Sequence, residues 1–170
     1  DPLTGLNHKE YISLKLEEEF KKARRYTNPL SVLLVDVEDY EELTRAHGKP
    51  VAHEILLEVA GIFLCESRDV DSAGRVGEAR FILLLPNTDL AGARIMAERV
   101  FQQVCTRRVR SGDKDIPIRV SVGIAALPSD DVATVAEFLE RALKGLRAAR
   151  NMGGNRICSW SDSAKAGDQK

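Results

Sequence analysis

The sequence predicts an α/β fold (an α+β sandwich in which a central, mixed, five-stranded sheet is flanked by helices), and three observations lead there. Residues 30–35, Leu-Ser-Val-Leu-Leu-Val, form a mostly apolar run of strand length. A strand without polar alternation is one covered on both faces. Residues 70–76 and 80–85 flank Gly77-Glu78-Ala79 as the two arms of a β-hairpin. Between these strands lie longer segments whose apolar residues recur at helical spacing, the alternation that builds a layered domain. At 170 residues the chain is one domain by size and long enough to bury a core.

Taken in order, residues 9–25 carry Tyr11, Leu14, Leu16 and Phe20 among many charges, the pattern of an amphipathic helix that Asn28-Pro29 terminates. The apolar strand follows, with Asp36 at its carboxyl end, where open α/β sheets place their chemistry. After a short acidic helix, Pro50 stands where a first helical turn tolerates it, and Val51, Ile55, Val59, Ile62 and Phe63 form a helical stripe. Beyond the hairpin, Asn87 or Thr88 caps a helix over residues 89–108. Residues 116–127 read as a strand, and 132–150 as a helix closed by Gly153-Gly154. Residues 156–159 read as a short last strand. Residues 161–170 are polar and are expected to be a disordered tail, leaving 1–160 as the folded domain.

Composition narrows the function. Hydrophobic residues are 44%, charged residues 30% and the formal net charge is -1, so no global field draws the chain to nucleic acid or to an anionic membrane. An anionic ligand must be held by a local cluster. Cys65, Cys105 and Cys158 are widely spaced without a CxxC pair, which reads as buried free thiols in a reducing compartment. No apolar run approaches the roughly 18 residues of a membrane span and no signal peptide is visible, so a cytoplasmic location is expected. The chain opens at Asp1 without Met, which suggests a module attached to a preceding signalling domain.

Asp1-Pro-Leu-Thr-Gly-Leu6 resembles the opening signature of GGDEF domains, the family that condenses two GTP into cyclic di-GMP. The resemblance runs through Ala23-Arg-Arg25, Val35-Asp-Val37, Arg75 to Phe81, Leu85-Pro-Asn-Thr88, Val120 to Ala125, and Gly153 with Asn155, in order and spacing. What it implies about activity is negative. Phosphodiester formation needs metal ions held by carboxylates. The family takes one carboxylate from the end of the first strand, kept here as Asp36, and one from the third position of the hairpin signature. That signature reads Gly77-Glu78-Ala79-Arg80-Phe81, so the third position is Ala79, which has no donor atom, and the fourth is Arg80, a cation. Glu78 replaces the glycine that lets backbone approach the phosphates. The positions matching the family's guanine-binding Asn and Asp are Thr44 and His53, and Glu42 reverses the charge of a phosphate-binding Lys. Arg150 keeps a cation where the family has Lys, and Gly154 stands where it usually has Arg. The resemblance therefore implies a degenerate cyclase site without metal or cofactor, in which Asp36 is expected to pair with Arg80.

Arg68-Asp69-Val70-Asp71 is an R-x-x-D whose Asp71 falls six residues before Gly77. The spacing matches the family's product-binding inhibitory site, and Ala97-Glu98-Arg99 supplies the second arginine of that site as Arg99. Guanidinium groups donate in bidentate fashion to guanine O6 and N7 or to phosphate oxygens. A carboxylate accepts from guanine N1 and N2. The resemblance thus implies a receptor for cyclic di-GMP through Arg68, Asp71 and Arg99, the ligand held as an intercalated dimer that promotes homodimerisation. The alternative is a module for dimerisation or protein interaction that binds no nucleotide, with Arg68 and Asp71 a plain surface ion pair.

Overall fold

The eight residues of β1 (Leu30–Val37) are all buried, which is what an apolar run without alternation requires. The computed structural model describes residues 1–167. Before β1 lies α1 (Lys9–Tyr26). After it come α2 (Tyr40–His47), α3 (Lys49–Glu66), β2 (Ser72–Arg75), β3 (Arg80–Pro86), α4 (Leu90–Cys105), β4 (Arg108–Ser111) and β5 (Lys114–Pro117). The chain continues as β6 (Val120–Leu127), α5 (Val135–Asn151), β7 (Ile157–Ser159) and α6 (Trp160–Gly167). The main sheet has the order β2-β3-β1-β6-β7 and is mixed: β1 runs antiparallel to β3 and β6, while β6 and β7 are parallel. This is the expected five-stranded arrangement.

Side chains on a strand point alternately to opposite faces. Leu33, Val35 and Val37 therefore join a core with α3 and α4, in which Phe63 and Phe81 meet edge to face at 5.3 Å between centroids. Leu30, Val32 and Leu34 join a second core with α1 and α5. Full burial of each large aliphatic or aromatic side chain stabilises by about 1.5–3 kcal/mol relative to exposure. On this second face α5 approaches β6 so closely that a Cβ on Gly123 would lie 2.2 Å from the Ala142 carbonyl oxygen. Only glycine permits that contact.

Three expectations fail locally. Asp89, not Asn87 or Thr88, caps α4, its carboxylate accepting from the Gly92 N–H at 2.9 Å. The helix stops at Cys105, and β4 with β5 makes a separate two-stranded ribbon whose buried Val109 and Ile116 plug into the first core. Its turn uses Gly112 at φ +59, so the run over residues 116–127 is broken between two sheets. The third failure is the tail. Trp160–Gly167 is helix α6, with residues 168–170 of the expected tail outside the described residues. Its polar composition was misleading because charge docks it: Asp162 takes Arg94 at 3.0 and 3.2 Å and the Ser159 N–H at 3.0 Å. Trp160 lies beneath Arg141 (4.4 Å) and Lys144 (5.0 Å). The cysteines also differ from expectation, since only Cys158 is buried and Cys65 is exposed. Among the described residues no helix is long and apolar enough to cross a membrane.

Candidate functional site

The β1–β3 register places Asp36 opposite Arg80 at the carboxyl end of β1. The expected pair forms: Arg80 Nε donates to Asp36 Oδ1 at 2.6 Å and Nη2 to Oδ2 at 2.8 Å. Hydrogen bonding to Asp36 raises the Arg80 pKa above its ordinary value, against the opposing effect of burial. A second guanidinium was not foreseen as a partner. Arg150, from the last turn of α5, donates from Nη1 to Asp36 Oδ2 at 3.0 Å and sets its Nε 3.6 Å from Glu38 Oε1. The Asp36 side chain is 7% exposed, so this one carboxylate sits under two arginines with little access to water.

The hairpin is held rigidly around this pair. Val76 and Gly77 donate to the Arg80 carbonyl at 2.9 and 3.3 Å, and Val37 donates to the Ala79 carbonyl at 3.0 Å. Arg75 clamps the Glu78 carbonyl from Nε and Nη2 at 3.1 and 2.7 Å and reaches Asp1 at 3.4 Å. Arg75 was missed as a site residue; its position at the start of the signature hairpin was the available signal. Glu78 is thus fixed by its backbone while the residue stays exposed.

Asp36, Glu42, Arg45, Glu78, Arg80 and Arg150 line a cleft of about 530 Å³. Thr44 and His53 do not line it. The Thr44 hydroxyl donates to the Tyr40 carbonyl at 2.8 Å within its own helix, and His53 is exposed on α3. The cleft does not fit a catalytic metal: Ala79 offers no donor, and both Asp36 oxygens already accept from guanidinium groups. Among the described residues no group of three or more His, Cys, Asp and Glu could hold a metal ion.

The R-x-x-D lies elsewhere, in the turn from α3 into β2. Arg68 grips Asp71 with Nε at 3.1 Å and Nη2 at 2.9 Å, and the Arg68 N–H adds a bond at 2.8 Å. Nη2 also donates to Thr88 Oγ1 at 2.8 Å and to the Pro86 carbonyl at 3.3 Å. Asp71 has a side chain 0% exposed, whereas that of Arg68 is 52% exposed. Both Asp71 oxygens accept from Arg68, so in this structure the carboxylate orients the arginine. Nη1 of Arg68 makes no hydrogen bond among the described residues, so a fixed guanidinium presents that edge and its flat face to solvent. Among the described residues Arg99, on α4, forms no hydrogen bond or ion pair with either residue. It pairs with Glu66 at the end of α3 and lines, with Ile95 and Gln102, a groove of about 560 Å³.

A family model described as "Diguanylate cyclase, GGDEF domain" matches residues 1–156. Response regulator PleD of Caulobacter vibrioides is 29% identical over 159 residues, which is 92% of this chain and 35% of PleD. Diguanylate cyclase A of Treponema denticola is 28% identical over 160 residues, covering 92% of this chain and 43% of that protein. The chain thus spans less than half the length of these relatives. Among solved structures, diguanylate cyclase SiaD of Pseudomonas aeruginosa, in complex with its activator SiaC, superposes with a TM-score of 0.86 and 30% identity over 92% of this chain and 59% of that one. The GGDEF domain of DgcB from Caulobacter crescentus, in complex with c-di-GMP, gives a TM-score of 0.87 at 21% identity, covering 94% and 92% of the two chains, a likeness of fold.

Proposed function

We propose that this chain, which belongs to the GGDEF domain family, is catalytically inactive and serves as a receptor for cyclic di-GMP through Arg68 and Arg99, with Asp71 holding Arg68 in place. In this reading it regulates an attached or partner signalling module, and a ligand dimer shared between two copies promotes their association. The family's chemistry is cyclic di-GMP metabolism, so the same ligand is the natural candidate once turnover is lost.

Inactivity is supported by the fate of Asp36. In-line attack of a 3′-hydroxyl on an α-phosphate needs metal charge beside both. Here the first-strand carboxylate is neutralised by Arg80 and Arg150, and the second carboxylate is Ala79. Exposed Glu78 and Glu42 add repulsion toward a triphosphate in the same cleft.

The observation that carries the receptor reading is Arg68. Four hydrogen bonds to Asp71, Thr88 and Pro86 fix its side chain, while the Nη1 edge stays open. A guanidinium fixed before binding loses little side-chain entropy when it meets a phosphate or a guanine edge. A solvated surface pair has no need of that scaffold.

Calorimetric titration of cyclic di-GMP into the protein tests this, with Arg68→Ala and excess GTP as controls and a product assay with Mg²⁺ or Mn²⁺ alongside. Saturable heat that Arg68→Ala removes and GTP leaves unchanged, with no product, supports the receptor. No heat from folded protein rejects it, and formation of cyclic di-GMP from GTP rejects inactivity. A second reading, an interaction module without nucleotide, draws on the exposed apolar side chains of Leu57 and Leu64 on α3 and Ile95 on α4. It predicts self-association or partner binding with no response to the nucleotide.

A further inference from the structure

Resting on the receptor reading, we infer that Glu66 is a built-in competitor for the ligand, a carboxylate that occupies Arg99 and so sets the affinity of the site. No sequence pattern marks Glu66, and the R-x-x-D begins only after it.

The case starts from charge. An anionic ligand needs guanidinium groups that are positioned and available. Arg68 meets both conditions, because its partner Asp71 takes the Nε and Nη2 edge and leaves Nη1 open. Arg99 is held at one edge, by a carboxylate that offsets its charge. Its Nη2 is bound by Glu66 Oε2, and the pair spans from the last turn of α3 to α4. The two partners are unequal: the Glu66 side chain is 17% exposed and that of Arg99 is 56% exposed. The carboxylate is therefore the fixed member and the arginine the movable one. A ligand phosphate that recruits Arg99 must compete with Glu66 for its charge, and must approach a carboxylate to do so.

Neighbouring groups reinforce the bias. Glu98 precedes Arg99 on α4 and is tied to Gln102 at 2.8 Å, which keeps a second carboxylate at the groove. Arg94 lines the same groove but is committed to Asp162 and Ser159 of the C-terminal segment, so it does not offset them. Arg99 thus has one carboxylate partner in this groove, the half-buried Glu66, and that partner sets how much of its charge is offered to a ligand.

An exposed ion pair is a modest competitor, so removing the carboxylate is expected to tighten binding by about threefold to tenfold, counting the lost repulsion toward phosphate. The experiment is a four-chain titration with cyclic di-GMP: the parent, Glu66→Gln, Arg99→Ala, and the two changes combined, with Arg68→Ala beside them. Glu66→Gln keeps the size and polarity of the side chain and removes only its charge. The expected result is tighter binding by Glu66→Gln that disappears when Arg99 is also Ala. Binding by Glu66→Gln where the parent shows none supports the gate as well.

Equal tightening with and without Arg99 overturns the proposal, because Glu66 would then act by general repulsion. Unchanged affinity in Glu66→Gln, while Arg68→Ala still weakens binding by about tenfold or more, also overturns it and leaves the receptor reading intact. Absence of binding in every chain, with folding confirmed by circular dichroism, sinks both.

Discussion

Replacing Arg80 by Ala tests whether the Asp36–Arg80 pair stabilises the fold. The change removes two hydrogen bonds of 2.6 and 2.8 Å from Asp36. Asp36 stays buried, and Arg150 remains on Oδ2 at 3.0 Å. Breaking a fully buried pair costs about 3–5 kcal/mol, because the remaining charge is left without a partner. Two facts reduce that figure. The Arg80 side chain is 36% exposed, so water screens the pair, and Arg150 still compensates the carboxylate. The expected loss is about 1–2 kcal/mol. For a chain of this size each kcal/mol moves the melting temperature by about 2–4 °C, so a drop of about 2–8 °C should appear in thermal unfolding followed by circular dichroism. The double-mutant cycle with Asp36→Ala assigns the effect: the double variant should lose less than the sum of the singles, with a coupling of about 1–2 kcal/mol. A melting temperature within about 1 °C of the parent, or strictly additive losses, would refute the claim that the Asp36–Arg80 pair stabilises the fold.

Arg68→Ala should weaken cyclic di-GMP binding by about tenfold to a hundredfold in calorimetry, the scale of one bidentate contact, and Arg68→Lys should not rescue it because an ammonium lacks the planar fork. Gly123→Ala should cost about 1–3 kcal/mol or more, since the new Cβ meets α5 backbone rather than a yielding side chain, and a melting temperature equal to the parent's would contradict the close β6–α5 contact. The docking of α6 should be sensitive to acid. Burial opposes the charged form of Asp162, but hydrogen bonds from Arg94 and Ser159 prevail and its pKa is lowered. A lowered folded pKa means stability that is fully present above the ordinary carboxylate value of 3.8 and lost as pH falls below it through the folded value. Trp160, the one tryptophan of the sequence, reports the release by fluorescence, and Asp162→Asn should abolish the acid transition. A transition unchanged in that variant would place it elsewhere.

How far these sites were legible depended on whether a side chain's partner was close in sequence or remote. The strands of the sheet were readable because burial on both faces leaves β1 without polar interruption. The Asp36–Arg80 pair was readable because a hairpin signature carries its own register. The second arginine on Asp36 was not, since Arg150 arrives from 114 residues away and its approach is set by how α5 packs on β6. The same limit explains the R-x-x-D. Its spacing found Arg68 and Asp71, yet it could not tell that Asp71 faces inward or that Glu66 holds Arg99, which depend on the packing of α3 against α4. Helix α6 was misread for a related reason. A polar segment is disordered only when it has nothing to dock against, and Arg94, Arg141 and Lys144 supply that surface from α4 and α5.

The two arginine–carboxylate sites each set a buried carboxylate under partly exposed guanidinium groups, and they differ in how many it holds. At the end of β1 the carboxylate is deep and the cations come to it. Asp36 takes Arg80 and Arg150 together, whose side chains are 36% and 43% exposed. At the α3–β2 turn the carboxylate is deep as well, but it has one cation, and that cation is half exposed. Asp71 saturates one edge of Arg68 and leaves another, which converts a mobile side chain into a fixed donor. Arg80 is the cation that keeps Asp36 from being an unpaired buried charge. Arg68 sits at the far end of the same hairpin, where its Nη2 donates to the Pro86 carbonyl at 3.3 Å.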